Sequence, residues 1–261
     1  MVDPLAELPE PELRARRARS FGERAAEYAV HRPDYPAGAV RWCLEPVRDR
    51  RQPRLLDLAA GTGKLTSALV GPGREVVAVE PDPAMRAEFA RRAPGVPVLA
   101  GTAEDLPLPD AAVDAVLVGQ AFHWFDPQPA LREAARVLSA GGVLAVLWDV
   151  LDDRVGWVAG LVDVAETGVC RSRFAGRGLP IHECFTPPDR AEFGHVWRRT
   201  AESVTAMIGT HSLALVRTPA DRAALLDRVL AYLRARPDGG EGEFALPLVT
   251  IAVRAARRQR R

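Results

Sequence analysis

Leu55-Leu56-Asp57-Leu58-Ala59-Ala60-Gly61-Thr62-Gly63-Lys64-Leu65-Thr66 carries an apolar run into two closely spaced glycines and on into helix-forming residues. The apolar run reads as a strand buried on both faces. Gly61 and Gly63 let the backbone turn sharply and approach a ligand where any Cβ would collide. The helix expected over residues 64–70 points its free backbone N–H groups back at that ligand. Seventeen residues after Gly63, a second run, Val77-Ala78-Val79, ends in Glu80, a carboxylate at a strand tip that can accept hydrogen bonds from both hydroxyls of a ribose. A glycine turn alone often serves only packing; with an acidic strand tip at this interval, a nucleoside site is the better reading. The dinucleotide pattern G-x-G-x-x-G is incomplete, because Thr66 stands where its third glycine would be.

Outward from this segment the chain alternates apolar runs with amphipathic stretches. Strands are expected at 54–58, 75–79, 96–100, 113–118 and 143–148, with helices at 64–70, 83–92 and 129–138 between them. That alternation predicts parallel strands covered on both faces. Beyond Asp153 the reading gives a helix at 156–167, a glycine- and proline-bearing loop at 171–189, a strand at 192–198, helices at 202–208 and 219–236, and a last apolar strand at 244–253. The fold class is therefore α/β: a Rossmann-like, doubly wound, mostly parallel seven-stranded sheet with a terminal antiparallel strand. The domain reading is a flexible leader at 1–12, an N-terminal helical lid at 13–47 that includes a short helix at 38–47, a nucleoside-binding core at 48–153, a substrate cap that completes the sheet at 154–253, and a basic tail at 254–261 read as a solvated, frayed end.

At 261 residues one sizeable core is the expectation. The formal net charge of +1 supports neither a large nucleic-acid footprint nor an acidic partner. Cys43, Cys170 and Cys184 are too widely spaced for zinc ligands or a redox dithiol, so no metal is expected. With no signal-like leader and no long apolar span, the sequence reads as a cytoplasmic protein without a membrane segment.

The string DLAAGTGKLT, the strand ending at Glu80, the segment Gly101-Thr102-Ala103-Glu104-Asp105-Leu106-Pro107-Leu108 and the run from Asp114 to Gly119 together resemble the class I S-adenosylmethionine-dependent methyltransferases. The approach segment from Phe21 to Pro36 and the string Gln120-Ala121-Phe122-His123-Trp124-Phe125 resemble the branch holding trans-aconitate-type and natural-product methyltransferases. The resemblance implies S-adenosyl-L-methionine as cofactor. It further implies that Gly61 and Gly63 border its methionine and ribose portions, that Asp57 fixes the loop and reaches the amino group, and that Glu80, followed by Pro81, holds the ribose. Met85, Ala103 and Glu104 would lie at the adenine, Gln120 beside the methionine portion, and Tyr28 and Arg32 over the cofactor. Two positions depart from the family pattern: Ala59 and Thr102 stand where glycine and aspartate are frequent. Ala59 fits the loop if its φ is negative.

Methyl transfer is an in-line displacement, so positioning and exclusion of water matter most and a base is optional. His123, just beyond the fourth strand tip, is the candidate base; a purely loop-orienting role is the competing reading. Phe21, Tyr35, Phe122, Trp124 and Trp148 are candidate aromatic walls for an acceptor, and His211 in Gly209-Thr210-His211-Ser212 is the candidate polar contact from the cap. The expected partner is a small-molecule acceptor methylated at O, N or C, an aromatic natural product among the options, with no nucleic acid and a monomer or homodimer as the assembly. Alternatives are a cofactor-binding scaffold that transfers nothing, a nucleic-acid methyltransferase, although no NPPY-like motif follows the fourth strand, and a nicotinamide dehydrogenase.

Overall fold

Five of the apolar runs pair side by side in parallel. In the computed structural model, which describes residues 29–236 and 242–258, they are β1 (Arg54–Leu58), β2 (Glu75–Val79), β3 (Val98–Leu99), β4 (Val113–Gly119) and β5 (Leu138–Leu151). β6 (Asp189–Arg199) and β7 (Phe244–Ala256) complete the sheet in the order β3-β2-β1-β4-β5-β7-β6, with β7 antiparallel to both of its neighbours. The order reverses between β1 and β4, which leaves a crevice at the carboxyl ends of those strands where ligands bind in open parallel sheets.

Alternate residues of the central strands feed two opposite cores. Leu56, Leu58, Val116, Val118, Leu144 and Val146 face α4 (Pro127–Val137) through Ala130, Leu131 and Ala134. Leu55, Ala115, Leu117, Ala145 and Leu147 face α1 (Ala37–Leu44) and α2 (Lys64–Leu69). Each buried leucine contributes about 1.5–3 kcal/mol relative to an exposed one. α3 (Pro83–Arg92) starts at Asp82, whose carboxylate accepts from the N–H groups of Ala84 and Met85 at 2.8 and 2.9 Å, with Pro83 pre-set for the first turn.

A third core lies past the tip of β5. α5 (Gly156–Val164), α7 (Ala201–Gly209) and α9 (Pro219–Arg234) pack Val158, Leu161, Val204, Ile208, Val229 and Leu233 against Leu151, Leu246 and Leu248. Two short helices, α6 (Arg171–Phe174) and α8 (Ser212–Leu215), sit beside the crevice. No helix among the described residues is long and apolar enough to cross a membrane.

Several elements differ from expectation. β3 is only two residues long at the sheet edge, because Pro97 before it has no N–H to give to the ladder. β5 begins five residues early: Gly142 lies so close to the Asp114 carbonyl that a Cβ would sit 2.8 Å from it, and the register shifts there. The expected loop at 171–189 opens with α6. Residues 37–47 are a core layer rather than a lid, with Ala39, Val40, Cys43 and Leu44 buried beneath the sheet; the rest of the lid up to residue 28 lies outside the described residues. The described residues of the tail, 254–258, are held in place: Arg254 donates to Glu45 at 2.8 Å with its guanidinium 4.1 Å from the Trp42 ring, and the N–H groups of Arg257 and Arg258 bond to Gly142 and Cys184.

Candidate functional site

The crevice holds a cavity of about 650 Å³, within the usual range for small-molecule sites. Its floor is the β1–α2 loop. Gly61 has φ +55° and Gly63 φ +86°, and a Cβ at Gly61 would meet nothing, because that residue opens onto the cavity. Gly63 lies outside the cavity wall against Phe89, whose ring a Cβ would meet at 3.1 Å. Ala59 has φ +54°, so the condition under which it would fit the loop, a negative φ, is not met. The turn demands the left-handed conformation there, which costs an L-residue about 1–2 kcal/mol.

Glu80 is only 6 % exposed and lines the cavity. One carboxylate oxygen accepts from the Gly61 N–H and the other from the Asp82 N–H, both at 2.9 Å. The strand tip thus fastens the glycine loop to the start of α3, and each oxygen keeps a lone pair for a ligand hydroxyl. Burial pushes its carboxyl above the ordinary range against those two bonds. Asp57, 1 % exposed, does not line the cavity. It sits behind the loop, taking the Thr66 hydroxyl at 2.5 Å on Oδ2, while its buried Oδ1 has no partner. Burial raises its pKa to about 7, the Thr66 bonds opposing the shift and Glu80 adding to it.

Met85, Pro81, Ala103 and Glu104 line one end of the cavity. Glu104 also accepts from the Asp126 N–H at 2.9 Å, tying the β3–β4 connection to the start of α4. Gln120, at the tip of β4, has φ +60°; its N–H bonds to Leu147 and its Nε2 donates to the Asp149 carbonyl at 2.6 Å. His123 and Trp124 follow in a single 3-10 turn with ring centroids 4.4 Å apart, and both line the cavity.

The far end is built by the cap. His211, 4 % exposed, lines the cavity from the α7–α8 loop, with Nδ1 2.9 Å from the Thr167 hydroxyl. Burial holds its imidazole well below the ordinary range, with the Arg32 charge adding to the effect. Arg32 also lines the cavity and donates to the Thr210 carbonyl at 3.0 Å. Three proposed aromatic walls are elsewhere. Tyr35 is buried in the core with its hydroxyl against Gly119. Phe122 packs on the α4-side core and against Phe125, and Trp148 is buried beneath Phe174. In each case the side chain has an apolar face to bury and a closed layer beneath the cavity to bury it in. Phe21 and Tyr28 lie outside the described residues. Val169 and Phe174, which do line the cavity, come from the region with least sequence pattern; Phe125, which also lines it, closes the aromatic string that begins at Gln120. Among the described residues no group of His, Cys, Asp and Glu could hold a metal ion, and none of the three cysteines is paired.

The arrangement suits a nucleoside with a hydroxyl pair at Glu80, a flat base between Met85 and Ala103, and a second ligand beyond Gln120. A methyltransferase-domain family model matches residues 56–146. The uncharacterized methyltransferase Rv3342 of Mycobacterium tuberculosis is 39 % identical over 239 residues, covering 90 % of this chain and 95 % of that one. A demethylmenaquinone methyltransferase of Thermus thermophilus is 38 % identical over 138 residues, 49 % of this chain and 63 % of its own. A solved structure from Anaeromyxobacter dehalogenans, described as a type II methyltransferase, superposes with TM-score 0.64 at 27 % identity, over 87 % of this chain and 97 % of that one.

Proposed function

The chain belongs to the class I S-adenosylmethionine-dependent methyltransferases, and from that premise we propose that it methylates O, N or C of a small molecule, with S-adenosyl-L-methionine bound along the β1–α2 loop. The observation that carries the reading is continuity: one cavity runs from the Glu80 carboxylate and Gly61 to a second wall made by Trp124, Phe174 and His211. Donor and acceptor can therefore meet without bulk water between them.

When bound, the donor's sulfonium supplies a methyl group to a nucleophile in line with the breaking C–S bond. Glu80 takes the two ribose hydroxyls on the lone pairs left by Gly61 and Asp82. Met85, Ala103 and Glu104 bound the base, and Gln120, held by the Asp149 carbonyl, flanks the methionine portion. Asp57 stiffens the loop from behind through Thr66. Trp124 and Phe174 pack a flat acceptor, and His123 is the group placed to take a proton from it.

The test is calorimetric titration with S-adenosylmethionine, S-adenosylhomocysteine and NADH, followed by transfer from labelled donor to phenols, amines, carboxylic acids, activated carbon acids and RNA. Micromolar binding of the two sulfur nucleosides and label on a small acceptor are expected. NADH binding without them refutes the donor assignment. Donor binding with no transfer supports the non-methylating scaffold, and label on RNA supports the nucleic-acid enzyme.

A further inference from the structure

His211 is separated from the candidate base His123 by its tautomer. Thr167 is buried, and its Oγ1 accepts the Val169 N–H at 3.2 Å and lies 2.9 Å from His211 Nδ1. If Nδ1 carried the proton, Oγ1 would accept from two donors and its own hydrogen would be buried with no acceptor. If the hydroxyl donates to Nδ1, the Thr167 hydroxyl, the Val169 N–H and Nδ1 are all satisfied. The imidazole proton then sits on Nε2, the nitrogen left for the cavity that His211 lines.

We infer that His211 is a fixed hydrogen-bond donor of the acceptor subsite, presenting Nε2–H to a carbonyl, carboxylate or phenolate oxygen of the methyl acceptor and disfavouring acceptors whose only polar group there is an ammonium. The acceptor's role in this inference rests on the methyltransferase reading above; the tautomer does not. The donor is pre-set on both sides. Thr167 is anchored to the sheet through the bond from the Leu151 N–H to the Val169 carbonyl at 3.2 Å. The loop bearing His211 is clamped by Arg32 on the Thr210 carbonyl at 3.0 Å and Arg222 on the Gly209 carbonyl at 3.1 Å. Burial and the Arg32 charge keep the ring neutral, so the N–H is presented without an ionisation step. Arg32 adds positive potential, which favours an electron-rich oxygen and repels an ammonium. Trp124, Val169 and Phe174 leave the rest of that end apolar, suited to a flat body carrying one such oxygen.

The experiment uses the full chain labelled with 15N-histidine. The His211 ring signals are assigned by their loss in His211→Leu. Benzoate, acetophenone and benzylamine are then titrated into protein saturated with S-adenosylhomocysteine. The expected spectrum has a protonated Nε2 and a bare Nδ1, and Thr167→Val releases the tautomer preference. Benzoate and acetophenone should shift the Nε2 signal and bind about tenfold weaker to His211→Leu, a loss typical of one hydrogen bond. His211→Gln, which returns an amide N–H near the Nε2 position, should recover affinity to within about threefold. S-adenosylhomocysteine affinity should stay constant across these variants. A protonated Nδ1, benzylamine binding as tightly as benzoate, or benzoate binding that ignores His211→Leu each overturns the inference. Failure of the wild type to bind S-adenosylhomocysteine refutes the donor assignment instead, and the tautomer measurement, which needs no ligand, still decides His211. If His211→Leu does not fold, the Gln and Val variants carry the test.

Discussion

Glu80 is asked to do two things at once, and removing it separates them. Its oxygens each satisfy one backbone N–H, at Gly61 and Asp82, both at 2.9 Å, and keep a further lone pair on a residue that lines the cavity. Glu80→Ala strands two half-buried donors, at about 1 kcal/mol each, so a loss of about 2 kcal/mol and a fall of about 4–8 °C in melting temperature are expected. The variant also loses two charge-assisted bonds to the ribose, at about 1.5 kcal/mol each. Affinity for S-adenosylhomocysteine should therefore fall about 150-fold.

Glu80→Gln keeps one acceptor oxygen but turns an NH2 toward a backbone donor, so it should fall between the two on both axes. The assay is titration calorimetry at a temperature where all variants are folded, paired with melting curves with and without ligand. A Glu80→Ala protein that melts early yet binds within threefold of wild type refutes the ribose assignment and leaves Glu80 as a loop fastener. Because burial already raises its carboxyl, ligand affinity should also decline on acidification sooner than for an exposed glutamate.

Asp57, with a folded pKa of about 7 set by burial and an unfolded value of about 3.9, binds its proton more tightly in the native state. Its contribution is therefore present below about pH 4 and lost as pH rises to about 7, at up to about 1.4 kcal/mol per pH unit. Asp57→Asn should flatten that slope in urea titrations at pH 5 and pH 8, and an unchanged slope would contradict the shift. Gly119→Ala puts a Cβ 2.6 Å from the Tyr35 hydroxyl and should cost about 1–3 kcal/mol; adding Tyr35→Phe should recover part of it, and strict additivity of the two losses would count against the clash. Ala59→Gly relieves a φ of +54° and should raise stability by up to about 1 kcal/mol after the glycine entropy is offset, whereas Ala59→Val should lower it by more than that; a melting order of Val above Ala would contradict the strain.

The parallel half of the fold was legible because its signals are local. The run from Leu55 to Leu58 has apolar residues for two faces, and the structure gives Leu55 to one core and Leu56 and Leu58 to the other. Pro83 and Asp82 mark the start of α3 within two residues. What escaped is set by pairing at a distance. The five-residue early start of β5 depends on Gly142 meeting the Asp114 carbonyl, and the order of the tail depends on Arg254 finding Glu45 and Trp42 across the chain. Arginine-rich ends normally fray, and composition does not show that a guanidinium has an indole to cover.

The same division runs through the site. The half proposed for the nucleoside is assembled from strand tips and the loops directly after them, so Gly61 and Glu80 follow from position along the chain, while Ala103 and Gln120, which also line the cavity, came with the family resemblance. The half that would choose the acceptor closes through contacts between segments far apart in sequence. Arg32 reaches Thr210 across 178 residues and Thr167 meets His211 across 44, with Val169 and Phe174 brought in by a stretch of weak periodicity. Residue type alone could suggest His211, but not its buried hydroxyl partner, and that partner separates a donor from a base. Aromatic residues mislead for the converse reason. Phe122 and Trp148 sit at strand tips and Tyr35 in the approach segment before the first strand, yet the cores beneath the cavity remove more of their apolar area from water than an open wall would.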